Sequence, residues 1–311
     1  MQKLSDATLE RIALLQKKYE ATGQDLNAYL DGLLHTDYLN YWDYIQVDTL
    51  LTLQKPKTYL PDERIFILYH QITELYFRLI RNEIEAIQTI KDINAEVFLI
   101  HLNRINKYFE HLINSFEIMI HGMDKEQFLT FRMALLPASG FQSAQYRIIE
   151  LASADITCLM NIESREKASS MSDTEKYQHL YWKRGAIQLA TNKKTFTLLQ
   201  FEAKYESEFL ELIEKMKNKN LWQCYKSMHE KDQNNPALIT AMRTYDCNAN
   251  IRWPLMHYKS AVHYLERKPE DIAATGGTNW QKYLPPKNQK ICFYPELWSE
   301  SELAEWGKSI D

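Results

Sequence analysis

The stretch "RIFILYHQITELYFRLI" (64–80) decides how the rest of the chain is read. Ile65, Leu68, Ile72, Leu75 and Leu79 recur at steps of three and four, the spacing of one helix face. Neither Gly nor Pro interrupts them. Asp62 and Glu63 precede the run, where a first helical turn favours negative charge. The spacing predicts one long helix from Asp62 to about Thr89, with those five residues as its core seam. His70 sits mid-run, one turn after Phe66, and Thr73 and Phe77 share its side. On this pattern His70 flanks the seam. A lone histidine there is more often a satisfied structural residue; the functional alternative is a polar group aimed into an aromatic-walled cavity.

Outward from this helix the same periodicity continues. Phe98, Leu102, Ile105, Phe109, Leu112, Phe116 and Met119 predict a second core helix over about Ala95 to His121. Ser5 is a candidate cap for a helix to about Tyr19, and a short helix follows over about Asp25 to Leu34. Residues 38–53 have helical spacing but are rich in Tyr. A helix from about Lys125 breaks at "LLPASG", and another is expected over 141–159. Residues 161–175 lack apolar period and predict a loop. Further helices are expected over about 176–189, 196–218, 222–231 and 236–266. The stretch 267–298 is the one long non-helical segment. Only 8 Gly and 9 Pro are present, too few for a turn-rich β fold. No linker or repeat divides the chain. The expectation is all-α, a single helical-bundle domain over residues 1–311 with an irregular C-terminal lid.

Composition narrows the partners. A net charge of −4 without a basic stripe argues against nucleic acid. No apolar run reaches the roughly 20 residues that span a bilayer. The first residues read as an amphipathic helix with acidic positions, unlike a signal peptide. Cys158, Cys224, Cys247 and Cys292 lie far apart with no CxxC spacing, which suits a reducing cytoplasm. The load of 19 Tyr, 12 Phe and 7 Trp fits a thick core, large interfaces or a pocket for a flat ligand.

Three further segments hold candidate chemistry. Phe128 and Arg132 are four apart on one helix face, just before the "LPASG" turn. There Arg132 either caps carbonyls or offers a guanidinium fork to a carboxylate. Ser139 and Gly140 bring a hydroxyl, backbone N–H groups and close backbone approach. His257 and His263 are six apart, a spacing that does not put two metal ligands on one helix face. One such histidine could still serve as a proximal haem ligand. "ATGGTN" (274–279) lacks the spacing of a P-loop; it is either a flexible turn or a small anion seat.

Taken in order, these blocks resemble the tryptophan 2,3-dioxygenase family. The resemblance rests on "YL" at 38–39, "DERIFILYHQITELYFRLIRNEIEAI", "FRMALLPASGFQSAQYR", "WPLMH" at 253–257, "ATGGTNWQKYL" and "FYPELW", and spans about residues 25–298. It implies an all-helical enzyme with haem b, ferrous when active. With O2 it would open the indole ring of L-tryptophan to N-formyl-L-kynurenine. By resemblance His257 is the proximal iron ligand and His70 the distal histidine near the indole N–H. Phe66 and Phe128 are indole walls, Arg132 the partner of the substrate carboxylate, and Thr275 the threonine closing over the amino-acid end. Ser139 and Gly140 are the turn beside haem and substrate. Tyr38 and Leu39 belong to an N-terminal segment, about residues 1–55, reaching a neighbouring subunit's site in a homotetramer. The chain departs from the family pattern at His35 for Tyr, at "ATGGTNW" for a lid richer in small residues, at the longer stretch between His257 and the Thr-Gly-Gly turn, and at Tyr76 for Trp. A haem-dependent hydroxylase of a related aromatic amino acid or indole derivative, or a non-catalytic sensor, stays open.

Overall fold

The computed structural model describes residues 3–135, 138–188, 191, 193–266 and 280–308. Its contacts divide the chain into two units, Met1–Leu53 and Gln54–Asp311, each described by itself. Helix accounts for 73% of the described residues, as expected of an all-α protein. Among the described residues there is no strand, only the isolated bridges Met160–Leu180 and Ile187–Lys194. No described helix is long and apolar enough to cross a membrane.

In the first unit, α1 (Asp6–Glu20) is capped by Ser5, whose hydroxyl accepts the Thr8 N–H at 3.2 Å. Asp25 caps α2 (Leu26–Leu34) in the same way. The helix expected over 38–53 is two short pieces, α3 (Tyr41–Ile45) and α4 (Val47–Leu50). Gln46 between them takes a left-handed conformation (φ 53°), which ends any continuous helix. Leu26 is the one buried residue among those described in this unit.

The second unit holds the core. Helix α5 (Asp62–Thr89) has the bounds the sequence predicts. Its buried face does not. Tyr69, Thr73, Phe77, Ile80, Ile84 and Ile87 are buried, whereas Ile72, Leu75 and Leu79 are 40%, 54% and 41% exposed. Of the expected seam, Ile72, Leu75 and Leu79 are therefore on the outer face, Ile65 and Leu68 are half-buried, and His70 stands beside the true core stripe. Both faces carry apolar residues, so periodicity alone chose the wrong one. Glu63 is fully buried at the start of α5. It accepts from the N–H of Lys57 (2.6 Å), the N–H of Thr58 (2.7 Å) and the Thr58 hydroxyl (2.6 Å), fixing the preceding loop.

Helix α6 (Ala95–His121), capped by Asn94, buries all seven predicted stripe residues. Each contributes about 1.5–3 kcal/mol of burial. It packs on α5 through the turn at 90–94. Helix α7 (Lys125–Phe131) runs into a 3-10 turn, Arg132–Leu135. The helix expected over 141–159 is broken into a 3-10 turn at Gly140–Gln142, α8 (Ala144–Ser153) and a second turn at Ile156–Leu159. Ser143 and Asp155 restart the chain as caps. The expected loop at 161–175 contains α9 (Ile162–Arg165), a turn at Ala168–Ser170 and the start of α10 (Asp173–Gln178), which a Ser172–Glu175 capping box begins early. Helix α11 (Tyr181–Gly185) follows, so 176–189 is not one helix.

Helix α12 (Phe196–Met216) matches its expectation, while 222–231 resolves into α13 (Leu221–Lys226) and α14 (Glu230–Gln233). The predicted run 236–266 is α15 (Pro236–Cys247), a π turn at Asn248–Arg252, and α16 (Trp253–Leu265). Helices α15 and α16 pack on α6. Beyond lie α17 (Trp280–Tyr283), α18 (Pro286–Gln289) and α19 (Glu300–Ala304), joined by an irregular strap. Asp246 of α15 anchors that strap. Its carboxylate accepts from the N–H of Phe293 (2.8 Å) and Tyr294 (3.1 Å), the Trp298 indole (3.1 Å) and the Cys292 thiol (3.2 Å).

Candidate active site

Helices α5, α6, α7 and α16 bring the candidate residues of the second unit together around aromatic rings. Phe66 and His70, four apart on α5, lie with ring centroids 4.2 Å apart. Phe128 of α7 comes within 6.0 Å of Phe66. Two further rings that were not singled out from the sequence join this cluster. Phe131 is fully buried, 5.7 Å from Phe66, and Tyr264 of α16 is 4.3 Å from Phe128. Helical spacing carried that signal, since Phe131 is three past Phe128 and Tyr264 is two turns past His257. Tyr69 and Phe116 connect the two histidines, with ring centroids 5.7 Å (His70–Tyr69), 5.6 Å (Tyr69–Phe116) and 6.1 Å (Phe116–His257).

His70 Nδ1 lies 2.7 Å from the Phe66 carbonyl oxygen. A carbonyl only accepts, so Nδ1 carries the proton. Burial lowers the pKa of His70, against smaller opposing effects of the Phe66 carbonyl and Glu74. The neutral ring therefore presents Nε2 as a bare acceptor.

His257 is crowded by protein atoms, and yet the residue is exposed to solvent, which places it in a concave part of the surface. Burial, then the nearby His70 and Arg147, push its pKa down to about 4, so the imidazole is neutral. Neither ring nitrogen has a hydrogen-bond partner among the described residues. Arg147 is itself held at 2.7 Å by Glu150 and 3.0 Å by the Tyr181 hydroxyl.

Arg132 caps α7 with its N–H on the Phe128 carbonyl, and its side chain is buried to 6% exposure. Burial lowers its pKa from the ordinary arginine value. Ser139 caps the turn at Gly140–Gln142 in a reciprocal pair with Gln142. A Cβ added at Gly140 would meet nothing within 4 Å, so that backbone borders open space. His263 lies on a more open part of α16, its carbonyl holding Lys125 Nζ at 2.8 Å. Among the described residues no three His, Cys, Asp or Glu side chains gather as a metal cluster. Tyr38 and Leu39 are 96% and 70% exposed within the first unit. Thr275 and the "ATGGTN" turn lie outside the described residues.

A neutral, accessible histidine whose nitrogens have no partner among the described residues fits a haem iron, which takes a neutral imidazole as axial ligand. The open backbone at Gly140 fits a flat group lying close to the chain. Fold and site thus define a helical protein in which packed aromatic rings link two neutral histidines. The family model described as "Tryptophan 2,3-dioxygenase" matches residues 33–259. The chain belongs to the tryptophan 2,3-dioxygenase family. A relative from Polaromonas sp. (strain JS666 / ATCC BAA-500), named "Tryptophan 2,3-dioxygenase", is 27% identical over 277 residues, covering 84% of this chain and 86% of that protein. A relative of the same name from Bacillus thuringiensis (strain Al Hakam) is 38% identical over 123 residues, 38% of this chain. One from Ruegeria sp. (strain TM1040) is 38% identical over 116 residues, 37% of this chain. The chain spans less than half the length of these last two, 44% and 41%.

Proposed function

We propose that this chain is a haem-dependent dioxygenase that inserts both atoms of O2 across the indole C2–C3 bond of L-tryptophan, giving N-formyl-L-kynurenine. The observation that carries this reading is the pair of neutral histidines linked by aromatic rings, one with its tautomer fixed and one without a hydrogen-bond partner among the described residues.

His257 would hold the iron of haem b through a neutral nitrogen, with the turn at Ser139 and Gly140 beside the ring. Bound there, ferrous haem supplies the activation of O2. The protein's own residues orient the amino acid. Phe66 and Phe128 flank the indole plane, and His70 accepts the indole N–H at Nε2. Arg132 pairs with the substrate carboxylate, and its burial strengthens that pairing by excluding water. Thr275 closes over the amino-acid end. No side chain need remove a proton before the oxygen step, because the indole is electron-rich. Positioning is most of what the chain contributes.

The working form is a homotetramer in which residues about 1–55 pack on a neighbouring subunit and carry Tyr38 and Leu39 to its site. Exposure of Tyr38 at 96%, in a unit with Leu26 as its one buried described residue, supports this. Four free cysteines support a reducing cytoplasm.

The test is to load the chain with haem, reduce it, add L-tryptophan and O2, and follow the formyl-kynurenine absorbance and product mass. A gain of two oxygen atoms is expected. A gain of one would make the chain a hydroxylase, and a Soret band without tryptophan-dependent O2 uptake would make it a sensor.

A further inference from the structure

The helix that carries His257 is interrupted just before it. Asn248–Arg252 forms a π turn, in which the Trp253 N–H reaches back five residues to the Asn248 carbonyl. In that register the Ala249 carbonyl belongs to the N–H of residue 254. Residue 254 is proline, which has none. Ala249 is fully buried, so water does not replace the missing donor. A side chain does. The Tyr146 hydroxyl, from α8, donates to the Ala249 carbonyl at 2.8 Å.

The surroundings hold that donor in place. Tyr146 is buried, and its ring lies 5.3 Å from Phe77, which meets Trp253 edge-on at 5.8 Å. Burial raises its pKa well above the ordinary tyrosine value, so the hydroxyl keeps its proton. The other ties to the turn join side chains: Asn248 to Asn106 at 3.2 Å, Arg252 to Asn248 at 3.1 Å and Asn250 to Asp246 at 2.7 Å. Among the described residues Tyr146 is the side chain that bonds the backbone of the turn.

Register matters because a π turn adds one residue to the helix. Closing it to α geometry would rotate everything downstream by about 100°, one residue's share of a 3.6-residue turn. His257 is three residues past Pro254 and would rotate out of the cavity.

We infer that Tyr146 is a positioning residue whose hydroxyl replaces the N–H that Pro254 lacks, holds the π turn open and so aims His257 at the haem iron. The inference rests on the haem reading above.

Three full-length proteins test it: the natural chain, Tyr146→Phe, and Tyr146→Phe with Pro254→Ala, which gives residue 254 an N–H. In Tyr146→Phe without added haem, amide exchange over residues 252–257 is expected to rise about tenfold while α6 and α12 stay protected. Haem affinity is expected to fall about tenfold, with a changed ferric electron-paramagnetic spectrum. The double variant is expected to recover both. Unchanged exchange in Tyr146→Phe overturns the inference. So does raised exchange with unaltered haem affinity and spectrum, and so does a double variant that recovers neither. If the natural chain binds no haem, the cofactor reading fails and the aim at iron with it. Exchange then still decides whether Tyr146 holds the turn.

Discussion

The Nδ1–H of His70 is given to the Phe66 carbonyl, 2.7 Å away and one turn back on the same helix. This bond settles which nitrogen faces the cavity, and it costs the helix nothing new because a helical carbonyl has a second lone pair. Nε2 is left to accept. In the proposed reading that acceptor would take the indole N–H and orient the ring without removing its proton.

His70→Ala should therefore lower kcat/KM for L-tryptophan only about tenfold, the scale of one hydrogen bond in a buried site. The natural enzyme should also discriminate against 1-methyl-L-tryptophan, which lacks the N–H, and the variant should discriminate less. Steady-state O2 uptake with both substrates checks this. Complete inactivity of the variant with normal haem and tryptophan binding would show His70 to be an obligatory base.

Arg132 is a guanidinium at 6% exposure beside Phe128. If it pairs with the substrate carboxylate as proposed, removing it leaves that carboxylate without its charged donor. Arg132→Ala should raise KM by about 10- to 100-fold, and Arg132→Lys should recover only part, since an ammonium lacks the two-pronged geometry. An unchanged KM for L-tryptophan in the alanine variant would remove Arg132 from the carboxylate role.

Sequence periodicity reveals some of these features and hides others, for reasons that lie in particular residues. The α6 stripe from Phe98 to Met119 is readable because it recurs unbroken at steps of three and four over the whole helix, while Ile100 and Ile118 on other faces are isolated. The proximity of Phe66 to His70, and of Phe128 to Arg132 on one helix face, follows from four-residue spacing. The buried side of α5 does not follow, because Leu75 and Leu79 are as apolar as Phe77 and Ile80 and periodicity cannot rank two apolar faces. The π turn leaves only Pro254 inside an otherwise helical pattern as its trace. No local rule links Tyr146 to Ala249, 103 positions away. Phe131 and Tyr264 lie at helical spacing from named residues, but nothing local shows that their rings join the cluster around Phe66 and Phe128.

Asp246 is a fully buried carboxylate with donors from five residues: Asn250 (2.7 Å), Phe293, Tyr294, Trp298 and Cys292. Burial raises its pKa, and the donors act against that rise. Two of them are backbone N–H groups that nothing else can satisfy if the carboxylate goes. Asp246→Ala should cost about 3 kcal/mol or more in chemical denaturation. It should also make the strap from Ile291 to Trp298 the first site of limited proteolysis. Uniform cleavage, with no preference for the strap, would mean that Asp246 does not anchor it.

His257 gives the stability of the haem-free chain a pH dependence with a definite sign. Its folded pKa is about 4, against an ordinary histidine value of 6.5. Above 6.5 the ring is neutral whether the chain is folded or not, so it contributes no pH slope. Between 6.5 and about 4 the unfolded chain takes up a proton that the folded chain refuses, and folding weakens as pH falls. The depressed pKa of His70 acts in the same direction. The urea midpoint should thus drop from pH 7 to pH 5, and His257→Ala should drop less over that interval. The same variant should lose haem on gel filtration, because the cavity then lacks its one candidate axial nitrogen on α16. Equal pH slopes for the two chains would mean that His257 is not held neutral by burial. A haem-loaded, active His257→Ala protein would mean that the iron is held elsewhere.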